Sequence, residues 1–169
     1  EEARELLSQV LAEDERRLGA ESPALVATLR DLGAVERGLG HLDDAAARLE
    51  RALAIERQHP EGREAELAAT LGGLGSVRRA QGNFEAASAL YGESLEIRRR
   101  ILPPDHPDLA TSLQNLALAR RELGDYVAAE PLFREAVALQ RKTLGADHPY
   151  LAITLNNLAL TLRALDRPA

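Results

Sequence analysis

Apolar positions in this chain recur at two periods at once. Locally they fall three and four residues apart, and the whole arrangement returns every 42 residues without a gap. Leu25, Leu67, Leu109 and Leu151 share one column, and Leu29, Leu71, Leu113 and Leu155 a second. Leu32, Leu74, Leu116 and Leu158 share a third. The short period predicts amphipathic helices with one apolar stripe each. The long period predicts a solenoid, in which each unit needs a neighbour to bury its apolar face. No alternating apolar–polar run supports a strand.

Residues 107–148 show how one unit is built. Leu109, Leu113, Leu116 and Ala117 make the stripe of a first helix that opens at His106-Pro107, where the missing proline N–H costs nothing. It closes at Gly124, and Asp125 is placed to cap a second helix carrying Ala129, Leu132, Phe133, Ala136, Val137 and Gln140. Gly40 and Gly82 repeat the turn, and Ala3, Ala45 and Ala87 repeat the small position of Ala129, where helix backbones must approach closely. Leu49, Tyr91 and Phe133 are the large residues in mid second helix. Pro131 lies inside its helix and removes one hydrogen bond there. Gly72-Gly73 falls in mid-helix, where glycine costs about 1 kcal/mol relative to alanine. That pair marks close packing, drift, a joint or the approach of a ligand.

Leu74-Gly75, Gly82, Phe84, Ala87 and Tyr91 resemble the tetratricopeptide repeat. Its ordinary unit is shorter. The longer unit here, with Leu155-Asn156-Asn157-Leu158-Ala159 in a first helix and Asp147-His148-Pro149 in a return loop, resembles the kinesin-light-chain type. The resemblance implies an all-α, right-handed superhelical solenoid of about eight helices arranged as antiparallel hairpins. The predicted layout is an orphan second helix in 1–22, repeats at 23–64, 65–106 and 107–148, and an orphan first helix in 149–169, forming one array over 1–169. It also implies a protein–protein interaction scaffold with a concave groove lined by first helices.

Composition narrows the function. The 169 residues carry a net charge of −6, only two Phe and three Tyr, and neither Trp nor Cys. An acidic chain with few rings is a poor binder of nucleic acid. A thiolate nucleophile and a cysteine-based zinc site are excluded. No apolar run approaches the roughly 20 residues of a membrane span, so no membrane partner is expected and a cytoplasmic location is the default. The four histidines read as turn and cap residues, and Asp14-Glu15 as part of a solvated face. No catalytic triad, phosphate loop or metal-ligand spacing is present, so no enzyme activity, cofactor or metal is expected.

One polar column is the candidate binding surface. Arg37, Arg79, Arg121 and Arg163 recur near the C-terminal ends of the first helices. Arg30, Gln114 and Asn156 lie one to two turns earlier on the same helical face. Guanidinium groups bind carboxylates bidentately and amides bond extended backbone, so the set suits a peptide or protein segment that is acidic. Arginine at a helix C-terminus also complements the dipole without any ligand. Two other readings remain: a structural spacer or head-to-tail self-associating array, and a regulatory module of a larger signalling protein.

Overall fold

The computed structural model describes residues 1–60 and 62–165. Among them it contains eight α-helices and no strand. They are α1 (Glu2–Leu18), α2 (Val26–Leu39), α3 (Leu42–Gln58), α4 (Glu64–Ala80), α5 (Phe84–Ile101), α6 (Pro107–Glu122), α7 (Tyr126–Leu144) and α8 (Pro149–Leu165). A 3-10 turn at Pro23–Leu25 leads into α2. The chain divides into two compact units, Glu1–Asn83 and Phe84–Ala169. No helix among the described residues is long and apolar enough to cross a membrane.

The tight turns follow from the glycine column. Gly40 and Gly124 adopt φ of 84° and 79°, a left-handed conformation that a side chain would oppose. At the end of α2, Gly40 N–H donates to the Arg37 carbonyl and His41 N–H to the Glu36 carbonyl. At the end of α6, Gly124 and Asp125 donate in the same way to Arg121 and Arg120. This paired closure satisfies carbonyls that a helix end otherwise leaves bare. The next helix starts at once, because the Asp125 carboxylate accepts from Ala128 N–H. His106 and His148 act as caps, their ring nitrogens accepting from Asp108 and Tyr150 N–H. Helix α7 runs unbroken through Pro131.

Each unit has its own core. In the first, Leu25, Leu29 and Leu32 of the turn and α2 meet Leu11 of α1 and Ala52 and Ile55 of α3. In the second, Phe133 is fully buried among Ala117, Ala129, Leu151 and Leu158. Ala87, Tyr91 and Ala119 pack together beside it. Leu74 is buried, whereas Leu116 keeps part of its surface, lying on the flank shared by two clusters. Glu15 does not face solvent freely as the sequence suggested: it forms an ion pair with Arg51 and ties α1 to α3. Asp14 pairs within its own helix with Arg17 at 2.8 Å.

Candidate functional site

In the first unit, Arg30 and Arg37 of α2 line one pocket of about 190 Å³. Asp31, Gly33 and Ala34 of α2, Leu49 of α3, and Ala69, Gly73 and Ser76 of α4 complete its lining. Two arginines and one aspartate are thus the charged residues of its lining. Arg37 is exposed, and its side chain makes no hydrogen bond or ion pair among the described residues. Arg79, at the end of α4, is half-buried, already engaged in a contact, and outside the lining of this pocket.

In the second unit, the Arg121 guanidinium donates to Asn157 Oδ1 at 2.8 Å, which pins the end of α6 to the middle of α8. Asn157 lies 36 residues beyond Arg121. The residue equally far beyond Arg37 is Gly73, which has no side chain to offer. The glycine pair therefore leaves Arg37 without the partner that Arg121 has and leaves space beside it. Asn156, the neighbour of Asn157, is exposed, and so is Arg163.

Gln114 is committed within the fold. Its Oε1 accepts from Gln140 Nε2 at 3.3 Å and from Thr154 Oγ1 at 3.1 Å, so it joins α6 to α7 and α8. It also lines a second pocket, of about 420 Å³, with Thr111, Asn115, Gln140, Leu144 and Tyr150.

The Gln140 position belongs to a polar column that the sequence reading left unremarked. Glu56, Arg98 and Gln140 are spaced by 42 residues, as are Thr70, Ser112 and Thr154. Thr70 Oγ1 donates to Glu56 Oε1 at 3.0 Å, joining α3 to α4. Arg98 Nη1 donates to Ser112 Oγ at 2.8 Å, joining α5 to α6. Each rung thus bonds a second helix to the following first helix, directly or through Gln114. Burial raises the Glu56 carboxyl above its ordinary value, against the Thr70 bond and the charge of Arg30, which lower it. Arg30 therefore serves two settings, the pocket rim and the field around Glu56. The signal was present in the sequence: a polar residue held at one phase of an otherwise apolar helix face.

Among the described residues no group of His, Cys, Asp or Glu could hold a metal ion.

No curated protein matches the chain. Among solved structures, it is similar to a Podosopora anserina chain of nearly identical TPR-like repeats described as kinesin light chain. Identity is 29%, the match covers 97% of this chain and 78% of that one, and the TM-score is 0.83. It is also similar in fold to BtubC (BKLC) from P. vanneervenii, at 24% identity, 97% and 65% coverage, and a TM-score of 0.85. The sequence profile of the tetratricopeptide repeat matches residues 1–58, 66–142 and 117–169. With that profile spanning nearly every residue, and helix hairpins closed by the same glycine turn in both units, the chain belongs to the tetratricopeptide repeat family, whose members in general mediate protein–protein interaction.

Proposed function

We propose that the chain is a non-enzymatic protein-binding module whose first-helix faces hold an extended, acidic segment of a partner protein. Arg37 carries this reading. Its side chain is exposed and without a partner among the described residues, it shares a pocket with Arg30, and Gly73, which also lines that pocket, offers no side chain to fill it. A guanidinium in that state is pre-placed for a bidentate carboxylate bond, and little has to be broken to make it. Arg121, in the second unit, is held by Asn157 and has less freedom to take a new partner. The test is a peptide array probed with the purified chain at low and high salt, with an Arg37→Glu variant alongside. Acidic peptides should dominate the retained set, fade as salt rises and disappear for the variant, since exposed charges are screened over about 8–10 Å near physiological ionic strength. Enrichment of apolar or basic peptides would refute the reading.

Self-association is a second reading, supported by exposed apolar side chains. Leu6 and Val10 are 55% and 47% exposed on α1, and Ile153 and Leu160 are 50% and 43% exposed on α8. A contact between α8 of one copy and α1 of the next would be heterologous and would propagate as an open stack. Light scattering over a wide concentration range decides it: growth with concentration supports the stack, and a constant monomer mass removes it.

A further inference from the structure

Glu56 is a carboxyl that the fold of the first unit accommodates in both protonation states. It is 1% exposed and stands in the last turn of α3, where the helix dipole opposes a negative charge. Its Oε2 has no hydrogen-bond partner, and its Oε1 accepts from Thr70 Oγ1 at 3.0 Å. The same hydroxyl lies 3.2 Å from the Glu66 carbonyl. With Glu56 charged, the Thr70 proton turns to the carboxylate. With Glu56 protonated, its own O–H can donate to Thr70 Oγ1 while the Thr70 proton turns to the Glu66 carbonyl, so each donor keeps an acceptor.

Arg30 connects this carboxyl to the arginine pocket. Gly33 of α2 lies against Leu49 of α3. In an antiparallel hairpin that register sets Arg30 level with Ala52, one turn or roughly 6 Å from Glu56 along the axis. Leu29 and Ile55, the residues just before Arg30 and Glu56, share one core cluster. Arg30 also lines the pocket. Its charge favours the ionised form of Glu56, as does that of Arg63, while burial and the charge of Glu66 oppose it. A carboxylate entering the pocket offsets the Arg30 charge, and the buried carboxyl then holds a proton more tightly. Protonation of Glu56, in turn, removes a negative charge from beside the pocket and favours the carboxylate by the same factor. Glu56 need not touch the ligand, because the protein interior screens charge far less than water does.

We propose that the arginine pocket of the first unit binds acidic segments with uptake of a proton from solvent, Glu56 receiving the proton and Arg30 linking it to the ligand. Affinity is then greatest below the Glu56 titration and falls as pH rises through it. The inference rests on the acidic-segment reading and adds a regulation to it.

The test uses the intact chain and the peptide acetyl-Glu-Ala-Glu-Ala-Glu-amide. Calorimetric titration in two buffers of different ionisation enthalpy counts the protons taken up on binding. The parent should take up more than Glu56→Gln, which keeps the shape of the side chain but cannot titrate. Both chains retain His41 and His59, and both meet the same peptide carboxyls, so the difference belongs to position 56. The affinity of the parent relative to the variant should fall at least about threefold between about pH 5 and about pH 8. A ligand-free arm follows the Glu56 carboxyl by carbon NMR, and Arg30→Gln should move its titration to higher pH. Equal proton uptake in the two chains, an affinity ratio independent of pH, or an unmoved titration in Arg30→Gln would overturn the linkage and leave the acidic-segment reading standing. A peptide that binds neither chain at any pH would overturn the acidic-segment reading and the linkage with it.

Discussion

Two glycines face the same leucine, and alanine should act on them with opposite sign. A Cβ built on Gly33 would lie 2.7 Å from Leu49 Cγ, with both Leu49 methyls within 3.2 Å. A Cβ on Gly73 would sit 3.6 and 3.7 Å from those methyls, which is ordinary van der Waals contact. Both glycines lie inside helices, so alanine gains about 0.8–1 kcal/mol of helix propensity at either site. At Gly73 nothing opposes the gain, and Gly73→Ala should stabilise by about 0.5–1 kcal/mol. At Gly33 the new methyl must displace the branch point of a leucine that is only 4% exposed. Overpacking of that kind costs typically 1–3 kcal/mol, so the net effect should be a loss of about 0.5–2 kcal/mol. Urea unfolding followed by far-UV circular dichroism measures both. The Gly33→Ala penalty should largely vanish in a Leu49→Ala background, giving a coupling energy of about 1 kcal/mol or more. Two stabilising substitutions, or additive effects with Leu49→Ala, would refute the packing assigned to this pair.

Three further outcomes are expected. Phe133 is fully buried, so Phe133→Ala should cost about 3–5 kcal/mol in denaturant unfolding, and a loss under about 1 kcal/mol would contradict the core assignment. The Arg121–Asn157 bond is half-buried and has one neutral partner, so truncating either side to alanine should cost about 0.5–1.5 kcal/mol, and the double variant should lose less than the sum. Glu56 takes up its proton at a higher pH in the folded chain than in the unfolded one, because burial disfavours its charge. The stability this group supports is complete below the ordinary carboxylate pKa and is lost as pH rises through the raised folded value. Glu56→Gln removes that loss, so the Tm difference between variant and parent should grow in the variant's favour from pH 4 to pH 7; a difference independent of pH would contradict the cause assigned.

Much of the fold was legible because each repeat is specified locally. The leucine columns mark the buried stripes, and Gly40, Gly82 and Gly124 mark where first helices stop and reverse. The candidate site was legible only in part. A column of four arginines reads as one ladder in sequence, yet its members differ in what lies 36 residues on. Asn157 holds Arg121, while Gly73 offers Arg37 no side-chain partner. Gln114 read as a free amide and is spent on Gln140 and Thr154, a contact between three helices that one helical period cannot reveal. The Glu56, Arg98 and Gln140 column escaped notice because charge, guanidinium and amide look unrelated until the shared hydroxyl partner is seen across the helix boundary.

The central claim is that Arg37 receives a carboxylate from an acidic segment. Fluorescence anisotropy with a labelled acidic peptide drawn from the array tests it directly, using the parent chain, Arg37→Glu, and Arg141→Glu as a control with the same charge change at another exposed arginine. The account predicts at least about a tenfold weaker affinity for Arg37→Glu, since a charge-assisted bond contributes about 1.5–3 kcal/mol, and near-parental affinity for Arg141→Glu. Equal losses in the two variants would reduce the effect to net charge, and an unchanged affinity for Arg37→Glu would contradict the claim.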